Sequence, residues 1–352
     1  MITCDLLTGF LGSGKTTLLN AFLRLEAGAD TAVIVNEFGT IGLDQLLYKE
    51  VSEDVYLLDS GCLCCTVTHS LRETLLEIKN LTARMGRPPL RRVVIETTGL
   101  ADPLPILHAL LGDRTLTPDF RLGQVITTVD AVQGAAQLEQ HQESRRQASV
   151  AEHLVITKTD LADNARLPAL RQKLFRINPR AQVSESVSGQ AALSVFDGDG
   201  YDRSLQLLAP GGDYIRREST TQNYFTIPDQ TGTPAHDSAI GSWSTFIDTQ
   251  PTWAGVSAWW NLLIHKFGDR LLRCKGLLHM DDVRPFVLIQ GVGKVFHSPA
   301  FLTQWPDADP RSRIVCIGAG LDESWLRDSL RALLITEASS RPLTLNELND
   351  CF

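Results

Sequence analysis

Residues Gly9–Thr17 read GFLGSGKTT, between the apolar run Ile2–Thr8 and the helix-like Leu18-Leu19-Asn20-Ala21-Phe22-Leu23. A G-x-x-x-x-G-K-[ST] loop in that context restricts the fold sharply, because it needs a strand before it and a helix after it. Its successive backbone N–H groups wrap a phosphate, and the helix N-terminus adds positive potential. The pattern arises by chance on the order of once in 100 chains of this length. The candidate phosphate-binding residues are Gly9, Gly12, Ser13, Gly14, Lys15, Thr16 and Thr17. Lys15 would reach the β- and γ-phosphates, and the Thr16 hydroxyl would serve Mg²⁺.

Strand-like and helix-like segments alternate through the first two hundred residues. The strands expected are Ile2–Thr8, Thr31–Asn36, Val55–Asp59, Arg92–Glu96, Gly123–Val129 and His153–Thr157, with helices such as Thr16–Arg24, Val67–Arg84 and Leu167–Ile177. This order predicts an α/β P-loop NTPase fold, a doubly wound and mainly parallel sheet over residues 1–205. Ligands in such sheets sit at the carboxyl ends of strands. Residues 206–224 (with APGGDYIRREST) read as a linker, 225–336 as a smaller α+β domain and 337–352 as a tail. That second domain is expected to hold a four-stranded sheet with two helices on one face. The net charge of −8 argues against a nucleic-acid partner. No apolar run is long enough for a transmembrane helix, and the first strand leaves no room for a signal peptide. A cytoplasmic protein with reduced cysteines is therefore expected.

Two strand ends narrow the chemistry. Arg92–Ile95 leads into Glu96-Thr97-Thr98-Gly99, a Walker-B arrangement whose carboxylate supports Mg²⁺ and whose Gly99 N–H can reach a γ-phosphate. Asp44, in the switch-like stretch Asn36–Asp44, joins Thr16, Glu96 and Gly99 in the candidate Mg²⁺ and catalytic set. His153–Ile156 leads into Thr157-Lys158-Thr159-Asp160. The Asp160 carboxylate can accept both the N1–H and the exocyclic amine of guanine, a donor pair that adenine lacks, and the Lys158 stem can pack on the base. GTP is thus the expected nucleotide. Thr157 stands where Asn is usual, so the tie from this loop to the P-loop is expected to be lost and affinity to be modest. Leu100 follows Gly99 and cannot orient a water, which predicts slow intrinsic hydrolysis.

Three of the seven cysteines fall within Cys62-Leu63-Cys64-Cys65. Thiolates at that density suit a soft or borderline divalent metal, zinc first. Three thiolates leave a tetrahedral site open, and Glu37, a water, a partner chain or a client protein could supply the fourth ligand. An open site exchanges metal more readily than a closed one, which favours delivery over scaffolding.

The ordered set GFLGSGKTT, Val35-Asn36-Glu37-Phe38-Gly39, Gly61–Cys65, Glu96–Gly99, Val129-Asp130-Ala131 and Thr157–Asp160 closely resembles the CobW-type GTPases, relatives of the nickel-insertion GTPases of urease and hydrogenase. Leu271–Gly276 and Gln290-Gly291-Val292 look like that family's C-terminal domain. The resemblance implies GTP hydrolysis coupled to holding and releasing zinc or cobalt at the C-x-C-C loop, with a client metalloprotein as partner and a homodimer allowed. The chain departs from the family in having no His-rich run; His236, His265, His279 and His297 are scattered, and Thr40 replaces a frequent acidic residue. The competing readings are a metal-independent P-loop kinase, a nucleotide-dependent enzyme activator, and a zinc-sensing regulator.

Overall fold

A computed structural model of the chain describes residues 1–28, 30–36, 55–57, 66–84, 90–113, 115–163, 166–196, 240–297 and 299–336. The chain divides into two compact units, Met1–Ser204 with Val295–Ser298, and the remainder. The expected linker 206–224 and tail 337–352 lie outside the described residues.

The first unit is built on β1 (Ile2–Gly9), α1 (Lys15–Leu23), β2 (Thr31–Asn36), β3 (Val55–Leu57), α2 (Thr66–Arg84), β4 (Arg92–Thr97), α3 (Leu104–Gly112) and β5 (Phe120–Asp130). It continues through α4 (Gly134–Gln140), α5 (Gln142–Val150), β6 (His153–Thr157), α6 (Arg166–Ile177), β7 (Gln182–Ser186) and α7 (Ala192–Phe196). The seven strands lie in the order β3-β2-β4-β1-β5-β6-β7, and every pairing is parallel. β1 is buried over nearly its whole length because a central parallel strand is covered on both faces. Val155 packs with Leu7, Leu18, Phe22 and Phe196, whereas its neighbours Leu154 and Ile156 pack with Leu138, Leu170 and Leu174. Successive side chains point to opposite faces, so helices cover both.

β5 begins at Phe120, three residues before the expected Gly123. β7 was not expected at all. Its sequence QVSES buries only its last residue, Ser186, so this edge strand carries no apolar alternation to reveal it.

The remaining elements are β8 (Ile240–Ile247), α8 (Trp253–Phe267), β9 (Leu271–His279), β10 (Phe286–Val292), the two-residue β11 (Val295–Phe296) and β12 (Ala300–Phe301), β13 (Ser312–Ala319) and α9 (Glu323–Ser329), all in the second unit except β11. The long strands β10-β9-β13-β8 form an antiparallel sheet, with β11 and β12 both beside β10, so six strands replace the expected four. Thr252 ends up as the N-cap of α8, its Oγ1 accepting the Gly255 N–H at 3.0 Å. Asp322 caps α9 in the same way through Trp325 N–H. No helix among the described residues is long and apolar enough to cross a membrane.

α8 lies on the sheet at Gly291, where an added Cβ would stand 1.9 Å from Trp260 Cη2. Gly291→Ala should therefore destabilise this unit by about 1–3 kcal/mol, read as a lower urea midpoint, with nucleotide affinity unchanged. An unchanged midpoint would show that the indole moves aside freely.

Candidate functional site

The described candidate residues of the first unit gather at the carboxyl edge of the parallel sheet. β1 runs directly into the P-loop, where Gly12 and Gly14 hold φ of 70° and 90°. A Cβ resists that left-handed region, and glycine does not. Gly14 immediately precedes α1, so the unpaired N–H groups of the first helical turn face the loop. Lys15 Nζ donates to Gly9 O at 2.8 Å and to Phe10 O at 3.2 Å, which holds the cation against its own loop. Ser13 Oγ lies 2.7 Å from Thr128 Oγ1, and Thr17 is exposed.

The Walker-B strand β4 meets this loop from one side. Thr16 Oγ1 donates to Glu96 Oε1 at 2.9 Å, and Glu96 is buried. Gly99 approaches the P-loop so closely that a Cβ there would stand 2.5 Å from Leu11 N.

The loop after β6 meets it from the other side. Thr157 Oγ1 donates to Ser13 O at 2.7 Å. Contrary to the expectation from the missing Asn, the tie to the P-loop is not lost: the threonine hydroxyl makes it. Lys158 has φ of 55°, a conformation that a side chain ordinarily avoids. Two bonds hold it there, from Nζ to Gly12 O and to Asp130 Oδ2, both 2.7 Å. Burial pushes the Asp130 carboxyl up, but the Lys158 ammonium and the N–H groups of Gln133 and Val132 outweigh it and hold the group below its ordinary value. Asp160 is exposed in the turn Thr159–Leu161 that follows.

Glu37, Asp44, Cys62, Cys64 and Cys65 lie outside the described residues, as does His236. Among the described residues there is no group of three or more His, Cys, Asp or Glu that could hold a metal. The described cysteines, Cys4, Cys274 and Cys316, are buried and free. His265 is exposed, His297 is half-buried, and the His279 ring stands edge-on to Phe286 at 5.1 Å, an ordinary packing role.

Some of the site was not foreseen. The loop after β7 sets Ser188 and Gly189 in left-handed conformations, with Gly189 packed close to Ala21 and Thr17 of α1. α5 and the residues around it also touch the site, although their sequence, HQESRRQASV, is polar and carries no motif.

The sequence profile of the CobW/HypB/UreG nucleotide-binding domain matches residues 3–185, and that of the CobW C-terminal domain matches residues 240–334. The chain belongs to the CobW family of P-loop GTPases. It is 33% identical over 333 residues to the zinc chaperone YjiA of Escherichia coli, covering 94% of this chain and 98% of that one. It is 30% identical over 366 residues to the zinc chaperone CobW of Pseudomonas aeruginosa, covering 94% and 90%. The crystal structure of the Zn(II)-bound YjiA GTPase from E. coli matches with a TM-score of 0.62 at 29% identity, over 95% of this chain and 99% of that one.

Within this CobW-family P-loop, the bond from Thr157 is open to direct test. Thr157→Val keeps the shape and removes the donor, a loss of about 1 kcal/mol. GDP and GTP affinity should both fall about fivefold in equilibrium titrations. Unchanged affinities would show that the loop keeps its form without this tie.

Proposed function

We propose that this GTPase couples guanine-nucleotide hydrolysis to holding and releasing zinc at Cys62, Cys64 and Cys65, and delivers the metal to a client metalloprotein in the cytoplasm. The strand register beside the P-loop supports the reading most. β2 pairs with β4 so that Val35 stands opposite Glu96 and Asn36 opposite Thr97. β3 pairs with β2, Leu57 opposite Val35. β2 therefore ends at Asn36 beside the Walker-B carboxylate, one residue before Glu37 in sequence, and β3 ends at Leu57 at the same edge, five residues before Cys62 in sequence. The names of the zinc-chaperone relatives agree with zinc as cargo. Three thiolates with Glu37 as fourth ligand would make a tetrahedral zinc site, and the same donors would accept cobalt. A fourth position left to water, client or a second copy would keep the metal exchangeable.

In this reading the backbone of Gly9 and Gly12–Thr17 wraps the phosphates and Lys15 neutralises them. Asp160 reads guanine through two accepted hydrogen bonds, with the Lys158 stem along the base. The Thr16 hydroxyl and Glu96 carboxylate, 2.9 Å apart, are hard oxygen donors that fit Mg²⁺. Asp44 belongs to the same candidate set. Bound Mg²⁺ would neutralise charge developing on the transferred phosphate. Gly99 would present its N–H to the γ-phosphate. Leu100 is 54% exposed and offers no group that could orient a water, so intrinsic turnover is slow.

Two experiments test this. A Cys64→Ala, Cys65→Ala double variant, purified without chelator, should lose bound zinc by elemental analysis and keep its GDP affinity. Zinc retained by that variant would place the metal elsewhere. Asp160→Asn replaces a double acceptor by an amide and should reduce the preference for GTP over ATP by about tenfold or more. Equal competition by ATP and GTP in the unmodified protein would overturn the guanine assignment.

A further inference from the structure

α5 carries none of the residues expected at the site, yet it grips both loops that face the phosphates. Gln147 is fully buried, and its Nε2 donates to Gly99 O at 3.1 Å and to Ala101 O at 3.0 Å. The adjacent Arg146 donates from Nη1 to Asp102 Oδ2 at 2.7 Å, so the turn after the Walker-B strand is held at three points. His141, immediately before α5, stacks on Phe10 of the P-loop with ring centroids 4.5 Å apart. The helix is itself anchored from behind. Thr127 Oγ1 donates to Gln147 O at 2.8 Å. Asn178 Nδ2 donates to Ala148 O, Ser149 O and Ala151 O at 3.0, 3.1 and 2.8 Å, closing the carbonyls at the C-terminal end.

Two carbonyls facing Nε2 fix the orientation of the Gln147 amide, because the reverse orientation would set oxygen against oxygen. That orientation leaves Oε1 buried without a hydrogen-bond partner among the described residues, as is Thr98 Oγ1 on the same turn. Buried polar atoms are nearly always paired, so two orphans around one turn mark it as a place where the chain keeps unused hydrogen-bonding capacity. The turn has little room on its far side, since Gly99 already abuts Leu11.

We propose that Gln147 is a positioning residue for GTP hydrolysis. Its amide presses the Gly99–Ala101 turn against the P-loop and so sets the glycine that reads the γ-phosphate. The proposal rests on that reading of Gly99. Because GDP has no γ-phosphate, the latch matters for GTP and its analogues and not for GDP, a distinction that a merely structural role would not produce.

Gln147→Glu keeps the size and replaces the donor by an oxygen facing two carbonyls. GDP affinity, affinity for a non-hydrolysable GTP analogue, single-turnover GTP hydrolysis and the urea midpoint are measured on the full chain. Hydrolysis should slow by about 30-fold or more. Analogue affinity should fall relative to GDP affinity, with the GDP affinity and urea midpoint kept. Unchanged hydrolysis, or GDP and analogue affinities falling together, would overturn the latch. Arg146→Ala is a second variant at a partly exposed position; it should slow hydrolysis in the same direction by about threefold at intact GDP affinity, as expected for one surface ion pair. Full activity in Arg146→Ala together with a misfolded Gln147→Glu would also overturn it. Gly99→Ala separates the two levels of the argument. If Gly99→Ala slows hydrolysis and Gln147→Glu does not, the latch alone fails; if Gly99→Ala hydrolyses GTP normally, the reading of Gly99 fails and takes the latch with it.

Discussion

The site depends on a P-loop whose carbonyls are held by side-chain donors. Thr157 holds Ser13 O, Lys158 holds Gly12 O, and Lys15 holds Gly9 O and Phe10 O. With these oxygens turned toward side-chain donors, the N–H groups of the loop are left for an anion. Two of these donors come from the end of β6 and one from the start of α1, and a parallel sheet brings both segments to one edge. The same geometry ties Thr16 to Glu96, so the helix that begins in the P-loop and the strand that ends in the Walker-B carboxylate share a hydrogen bond. The P-loop and the Walker-B carboxylate are thus one mechanical unit.

The parts of this unit that show in the sequence are those that obey a local rule. The P-loop is legible because glycine at left-handed positions and a lysine at the helix start are local requirements of phosphate binding. β1, β2, β4 and β6 are legible because strands covered on both faces must be apolar. β7 escapes because it lies at an edge and buries little. Gln147 escapes for a different reason. Its role arises from contacts with residues more than forty positions away, and nothing in HQESRRQASV distinguishes it from a solvated helix. Thr157 misleads in a third way. Judged by the amide it replaces, it reads as a loss, but a hydroxyl can donate to the same backbone and the fold brings Ser13 O within its reach.

In the second unit the departures are of degree. The two expected helices form, and caps set where they begin: Thr252 and Asp322 stand just outside α8 and α9 because their side chains accept N–H groups of the first turn. The two short strands beside β10 have two residues each, too few for any periodic pattern to announce them.

The central claim is that nucleotide and zinc act on one element. If the segments leaving β2 and β3 answer both to the γ-phosphate and to the metal, the effects must be reciprocal, since linkage gives each ligand the same factor on the other. The decisive measurement is a zinc competition titration with a chromophoric chelator, run in the GDP state and in the GTP-analogue state. The account predicts zinc affinities that differ by at least about tenfold, roughly 1.4 kcal/mol of coupling, with the same factor recovered when analogue affinity is measured with and without zinc. Equal zinc affinities in the two nucleotide states would contradict it.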